Sequence, residues 1–314
     1  MTKTPRPNMS HGTLWNRRAF GRAAVASAAL LPTAAHLLAS DKWAPRYVLA
    51  SCMYGKTPLA EILPEVKKTG ATGIDLWPMP HGNQREQVDE LGHDAFARLL
   101  SSHGVRLEMV TRFDLGPFKL QDEIRAASRM GAKLIVCGAV GPQNLQGAEL
   151  QSAVQKFVEQ LEPTLAVAAE CGMKIGIENH DHNLIDSADS MRYLADLCAD
   201  RPLGIALAPY HMPQDAAAIA RLISDLGPRL AHFYAWQHGR GSRTKQPRAD
   251  ELQQLPGRGA LDFAPLLAAL ANSGYQGLTE IFMHPFPRGV SIMDTTAEVT
   301  AEINRARESL ARAG

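Results

Sequence analysis

Acids and imidazoles recur where apolar runs of this chain end. In KIGIENHDH (174–182), Glu178 follows a stretch of apolar residues and is itself followed by His180 and His182. An unpaired carboxylate is costly to bury, so Glu178 is expected to have a partner or a task. The run LGIALA (203–208) stops at Ala208-Pro-Tyr-His211, which places a histidine just past an apolar end. LAHFYAW (230–236) carries His232, Tyr234 and Trp236, and GLTEIFMH (277–284) carries Glu280 and His284. Two-residue alternation puts Glu178, His180 and His182 on one face, and Glu280, Phe282 and His284 on another. Carboxylates mixed with imidazoles suit a divalent metal such as Mn, Zn, Co or Mg. They also suit proton transfer beside a carbonyl, where one carboxylate removes a proton and another returns it. A plain structural reading stands beside each candidate: hydrogen-bonded histidines, and core packing for Trp77 and Trp236.

These residues need elements that bring them together. Short runs rich in β-branched residues alternate with longer segments of helical period. The strand candidates are 47–53, 73–77, 106–113, 133–139, 174–179, 203–208, 230–236 and 277–283. Helix candidates fill the intervals, several ending in Gly, and a last helix closes the chain. Eight such pairs over about 270 residues predict a single-domain α/β fold, the (β/α)8 TIM barrel. A doubly wound open sheet competes, but its glycine-rich phosphate turn is missing: the first strand runs into SCMYGKTP. In a barrel the strand ends form one active rim. The long stretch 237–259, with Arg240, Arg243 and Lys245, is expected to lie over that rim.

Composition narrows the partners. The chain has 314 residues, 45% hydrophobic and 21% charged, with a net charge of +1. That balance gives no reason to expect nucleic acid. Residues 1–40 hold Lys3, Arg6, Arg17, Arg18 and Arg22 and no acid, so the remainder carries −4. NRRAFGR (16–22) followed by a moderately apolar run broken by Pro32 resembles a twin-arginine export signal. The expected organisation is therefore a signal over 1–40, read by the twin-arginine export machinery, and a barrel over 41–314 in the periplasm. The apolar run is too short and interrupted for stable membrane insertion. Export makes disulfides admissible, and Cys171 and Cys198, each just before a strand candidate, are a candidate pair.

KIGIENHDHNLIDSADSMRYLADL resembles the fifth strand and following helix of xylose isomerase-like barrels, which include sugar isomerases, sugar epimerases and the endonuclease IV branch. LPGRGALDFAPLLAALANSGYQG (255–277) resembles that family's run into its last strand. The order of all eight strands agrees. The resemblance implies a sugar substrate and one divalent metal held by Glu on strand 5, Asp ending strand 6, His on strand 7 and Glu on strand 8. Glu178 matches the first position. Ala208 stands where the Asp belongs, Tyr234 where the His belongs, and Phe282 at the usual place of the last acid, with Glu280 two residues earlier. The implied site is thus absent or rebuilt, for example from Glu178, His211, Glu280 and one of His180, His182 or His284. The resulting expectation is an isomerase, epimerase or related enzyme that enolises a sugar, with Glu178 and Glu280 exchanging the proton. His180, His211, Trp77, Tyr234, Trp236 and Arg240 would contact the substrate. The alternative is a non-catalytic carbohydrate-binding barrel. An endonuclease role is disfavoured by the acidic body and the replaced ligands. The oligomeric state is left open.

Overall fold

The computed structural model describes residues 43–314. The signal expected over 1–40, with its twin arginines, lies outside the described residues. Eight parallel strands form a closed barrel in sequence order. They are β1 (Arg46–Ala50), β2 (Gly73–Leu76), β3 (Arg106–Thr111), β4 (Leu134–Gly138), β5 (Lys174–Glu178), β6 (Leu203–Leu207), β7 (Leu230–Ala235) and β8 (Leu278–Ile281). Each expected strand is present, and β8 closes the ring by pairing with β1. The expected fold class is the observed one. Central strands such as β6, LGIAL, are buried along their whole length, as parallel strands covered by helices must be.

The outer layer follows from amphipathic segments with defined starts. Ser187 and Thr295 form capping boxes at α6 (Ala188–Leu197) and α10 (Thr296–Ala313). The Asp215 side chain accepts from Ala218 N–H at the start of α7 (Ala216–Leu226). Such caps stabilise a helix by about 1 kcal/mol each and fix where the preceding loop must end. The other helices are α1 (Leu59–Val66), α2 (Gln84–Leu91), α3 (His93–His103), α4 (Gln121–Arg129), α5 (Gly147–Glu170), α8 (Arg248–Glu251) and α9 (Ala264–Asn272). The stretch expected to be irregular after β7 contains the single turn α8, and α2 follows β2 as an additional element. Among the described residues no helix is long and apolar enough to cross a membrane.

The candidate disulfide is not formed: all four cysteines are free. Cys171 ends α5 and its carbonyl accepts from Ser128 Oγ, on the α4 side. Cys198 ends α6 and its thiol turns back to the Leu194 carbonyl of its own helix at 3.2 Å. The two residues occupy equivalent ends of neighbouring helices, but their surroundings differ.

Candidate active site at the barrel mouth

The strand register decides which backbone positions are neighbours across the sheet. Glu178 is level with Ala206, and Ala206 with His232; Tyr234 is level with Glu280. Above this level, at the C-terminal mouth, lies a small cavity of about 40 Å³. Its polar lining is Glu178, His81, His180, His211 and His284; Trp77, Phe113, Trp236 and Phe282 make the walls. Larger depressions of about 530 Å³ beside α5 and about 470 Å³ at the opposite barrel end gather no comparable set of imidazoles. Barrel chemistry belongs at the C-terminal mouth, so the small cavity is the candidate site. Its volume suits a few waters. A larger ligand needs the surrounding loops to part.

Aromatic packing explains the tight fit. Trp77 stacks on Phe282 with ring centres 4.9 Å apart, and Tyr210 stacks on Trp236 at 3.9 Å. One face of each indole is therefore already covered. Trp236 Nε1 donates to Gln254 Oε1 at 3.0 Å, which fixes its ring plane.

Glu178 ends β5 and is the one carboxyl lining this cavity. Burial pushes its carboxyl well above the usual range; the neighbouring Tyr234 hydroxyl offsets part of this, and Glu280 and Asp75 add to it. His211 Nε2 lies 3.6 Å from Glu178 Oε1. Burial lowers His211 to about 2, so its ring is neutral at physiological pH. Burial likewise lowers His81 and His180, each to about 4, and His284 well below the ordinary histidine value. The cavity thus presents one protonatable acid among uncharged imidazoles, each offering one donor and one acceptor.

A second polar layer lies beneath. Thr111 Oγ1 donates to Asp75 Oδ2 at 2.7 Å, and His232 Nε2 contacts Glu280 Oε2 at 3.2 Å. Asp75 Oδ1 and Glu280 Oε1 are buried and make no well-formed hydrogen bond, although the otherwise unpartnered Trp77 indole N–H is close enough to favour the ionised form of both acids. Burial raises both acids well above the carboxylate range, and each bears on the other. A proton held between the two carboxyls satisfies both oxygens, as like charges in a dry site demand. Glu280 faces inward, as alternation requires, but one layer below the cavity.

The structure places the remaining sequence candidates differently. Strand geometry ends at Glu178, and His182 takes a left-handed turn conformation (φ 64°). The chain folds back, with His180 N–H donating to the Ile185 carbonyl at 2.9 Å. The shared face expected for Glu178, His180 and His182 therefore stops at His180, and His182 points outward with 70% of its side chain exposed. Arg240 is exposed on the loop after β7, whereas Arg243 pairs with Asp181. Sequence reasoning missed Asp181, although it sits between two candidate histidines. The turn swings its carboxylate across to His211: Asp181 Oδ1 is 3.1 Å from His180 Nδ1 and 2.9 Å from His211 Nδ1. These three side chains form a group able to hold a metal ion. His81 and Arg288 were missed as well; both lie on loops. Arg288 Nη1 donates to the Ser242 and Pro285 carbonyls, each at 2.8 Å, tying the loops after β7 and β8 together.

The four-ligand arrangement implied by family resemblance does not fit these residues. Ala208 offers only backbone, and its N–H and carbonyl are both taken by the Asn179 amide at 2.7 and 3.1 Å. The positions of the strand-7 histidine and the last acid hold Tyr234 and Phe282.

The profile of the family described as "Xylose isomerase-like TIM barrel" matches residues 63–298. Nothing among curated protein sequences matches the chain significantly. Similar solved structures include the IOLI protein with a bound zinc atom, 14% identical, with a TM-score of 0.65 over 86% of this chain and 99% of that chain. D-psicose 3-epimerase from Clostridium cellulolyticum H10, solved with D-tagatose, is 15% identical, with a TM-score of 0.61 over 85% of this chain and 98% of that one. The 3-keto-D-glucoside 4-epimerase of E. coli is 18% identical, with a TM-score of 0.60 over 85% and 98% respectively. At these identities the likeness is one of fold.

Proposed function

The chain belongs to the xylose isomerase-like TIM barrel family, and we propose that it enolises a sugar or keto-sugar at the barrel mouth, with Glu178 moving the proton. The observation that carries this is the placement of one buried carboxyl, Glu178, in a cavity otherwise lined by imidazoles and aromatic rings. The two epimerases of similar fold act on sugars by their names, which favours a sugar over other carbonyl compounds.

The ionised Glu178 takes a proton from the carbon beside the carbonyl. The electron pair of that C–H bond moves toward the carbonyl oxygen, which is stabilised by an N–H donated from His211 or His284. Neutral imidazoles serve this purpose, because they donate without fixing a positive charge in the site. Glu178 returns the proton from its own face to the neighbouring carbon while the hydroxyl proton of that carbon passes to the former carbonyl oxygen, which gives an isomer; an epimer requires a second proton donor on the opposite face. Glu280 and Asp75 hold their shared proton one layer down, which limits negative charge beneath the developing enolate. Stacked Trp77 and Trp236 give the sugar an apolar wall once the loops part.

The test is turnover by Glu178→Gln against a panel of ketoses and keto-glycosides. We expect kcat/KM to fall by about 100-fold or more, the contribution usual for a general base, while thermal stability is kept. Because burial raises the Glu178 carboxyl and only its ionised form accepts the proton, wild-type kcat/KM should climb as pH rises above the ordinary carboxylate range. Full activity in the variant would remove Glu178 from this role. Sugar binding without turnover in the wild type would identify a carbohydrate-binding barrel instead.

A further inference from the structure

The geometry points to a divalent transition-metal site at the rim of the barrel, built from His180, Asp181 and His211 rather than from the interior strand positions. It does not rest on the proposed reaction, since it concerns binding of the ion alone.

Distances carry the argument first. One ligand atom from each residue lies within 4.8 Å of the other two. Asp181 Oδ1 stands 2.9 Å from His211 Nδ1 and 3.1 Å from His180 Nδ1, a nitrogen that also meets the Asp181 backbone carbonyl at 2.7 Å and exchanges that contact for the ion. Ligands bonded to one ion at about 2.0–2.2 Å sit roughly 3 Å apart around it. Asp181 Oδ1 thus already stands from each imidazole at nearly the spacing that an ion imposes.

His211 supplies an independent observation. Its side chain is 4% exposed, and neither ring nitrogen has a hydrogen-bond partner. The 2.9 Å approach to Asp181 is therefore close but badly directed for a hydrogen bond. A buried imidazole without partners is costly unless something satisfies it. An ion at Nδ1 does so, and it leaves Nε2–H directed at Glu178 Oε1, 3.6 Å away. A ligating histidine ordinarily donates its other N–H to a carboxylate in this way.

The chain also holds the ligands in place. The left-handed turn at His182 and the His180 N–H bond to Ile185 fix the loop that carries His180 and Asp181. Arg243 engages the other Asp181 oxygen, Oδ2, leaving Oδ1 for the ion. His180 and His211 both line the cavity, so the remaining coordination positions open toward it. Two imidazoles and one carboxylate suit Zn, Mn or Fe(II), and not Ca or Mg, which prefer oxygen ligands.

The experiment is calorimetric titration of chelator-stripped full-length protein with Zn²⁺ and with Mn²⁺, supported by the absorption spectrum of the Co²⁺ form. One ion per chain is expected. Affinity should fall at least about tenfold in each of His180→Ala, Asp181→Asn and His211→Ala, and stay within twofold in Glu280→Gln. Far-UV circular dichroism of every variant separates ligand loss from unfolding. The proposal is overturned if the wild type takes up no ion below millimolar concentration. It is equally overturned if all variants bind alike, or if Glu280→Gln abolishes binding while Asp181→Asn does not. The last result would put the ion inside the barrel. None of these outcomes depends on turnover, so the proposed reaction and the ion site can fail separately.

Discussion

Burial sets the behaviour of Asp75, Glu280 and His232 before any hydrogen bond does. Both carboxyls are raised well above their ordinary range, whereas burial lowers His232 to about 3. The signs follow directly. The raised carboxyls stabilise the fold fully below about pH 4, and this contribution is lost as pH rises, because the unfolded chain releases protons that the native one keeps. His232 behaves oppositely: its contribution is present above about pH 6.5 and lost as pH falls toward 3. Above about pH 6.5 the imidazole no longer contributes a slope, and the raised acids set the trend of this cluster. One retained proton corresponds to about 1.4 kcal/mol of stability lost per pH unit. In Glu280→Gln an amide can donate to Asp75 Oδ1 and its oxygen can face His232, so the shared proton is no longer needed. We expect the melting temperature of the wild type to decline more steeply than that of Glu280→Gln as pH rises above the ordinary carboxylate range. Parallel curves in a calorimetric series would show that no proton is held between the two acids.

Elements explain why some of this was legible and some was not. Asp75, Glu178, His232 and Glu280 lie within strands, and buried parallel strands announce themselves as apolar runs with a period of two. The inward direction of Glu178 and Glu280 was therefore readable from sequence, but not their level: Glu280, expected to work beside Glu178, lies a layer beneath the cavity. Asp181, His81 and Arg288 lie on loops, where direction depends on a turn such as the left-handed His182 and not on any period. Asp181 faces His211, a residue 30 positions away that reaches the same rim through a different strand. A second network of this kind was also invisible in the sequence. Glu123 on α4 accepts from Arg85 on α2 at 2.6 and 3.0 Å and pairs with Arg112, just past β3, at 2.7 Å. Asp89 and Asp114 occupy the outer sides of the two guanidinium groups. All three central side chains are largely buried, so removing Glu123 leaves two cations without their shared acid. Breaking a buried ion pair from one side typically costs about 3–5 kcal/mol. We expect Glu123→Ala to lose stability of that order in urea unfolding, and Arg125→Ala, whose Asp122 partner is solvent-exposed, to lose less than about 1 kcal/mol. Equal losses would mean that the network adds nothing beyond surface pairing.

At the scale of the whole molecule, closure of the barrel does the work that cross-links do in smaller folds. Eight strands pair without a free edge and the interior is filled from all sides, so the chain has a large continuous core and needs no staple. The cysteines reflect this. Cys52, Cys137 and Cys198 are buried and Cys171 is half-buried. Burial pushes the Cys198 thiol up to about 12, and it raises Cys52 and Cys137 as well, so almost none of these groups is in the reactive thiolate form at neutral pH. Burial would keep Cys52, Cys137 and Cys198 unreacted even in an oxidising compartment, without any pairing. With an aromatic disulfide reagent we expect at most one thiol per chain, Cys171, to react in native buffer, and all four to react in denaturant. Adding reductant should leave the melting temperature unchanged. A native protein that shows two thiols fewer in denaturant, and loses stability on reduction, would place a bridge between Cys171 and Cys198. The Cys198 thiol would then have to leave the Leu194 carbonyl of its own helix and turn toward the end of α5.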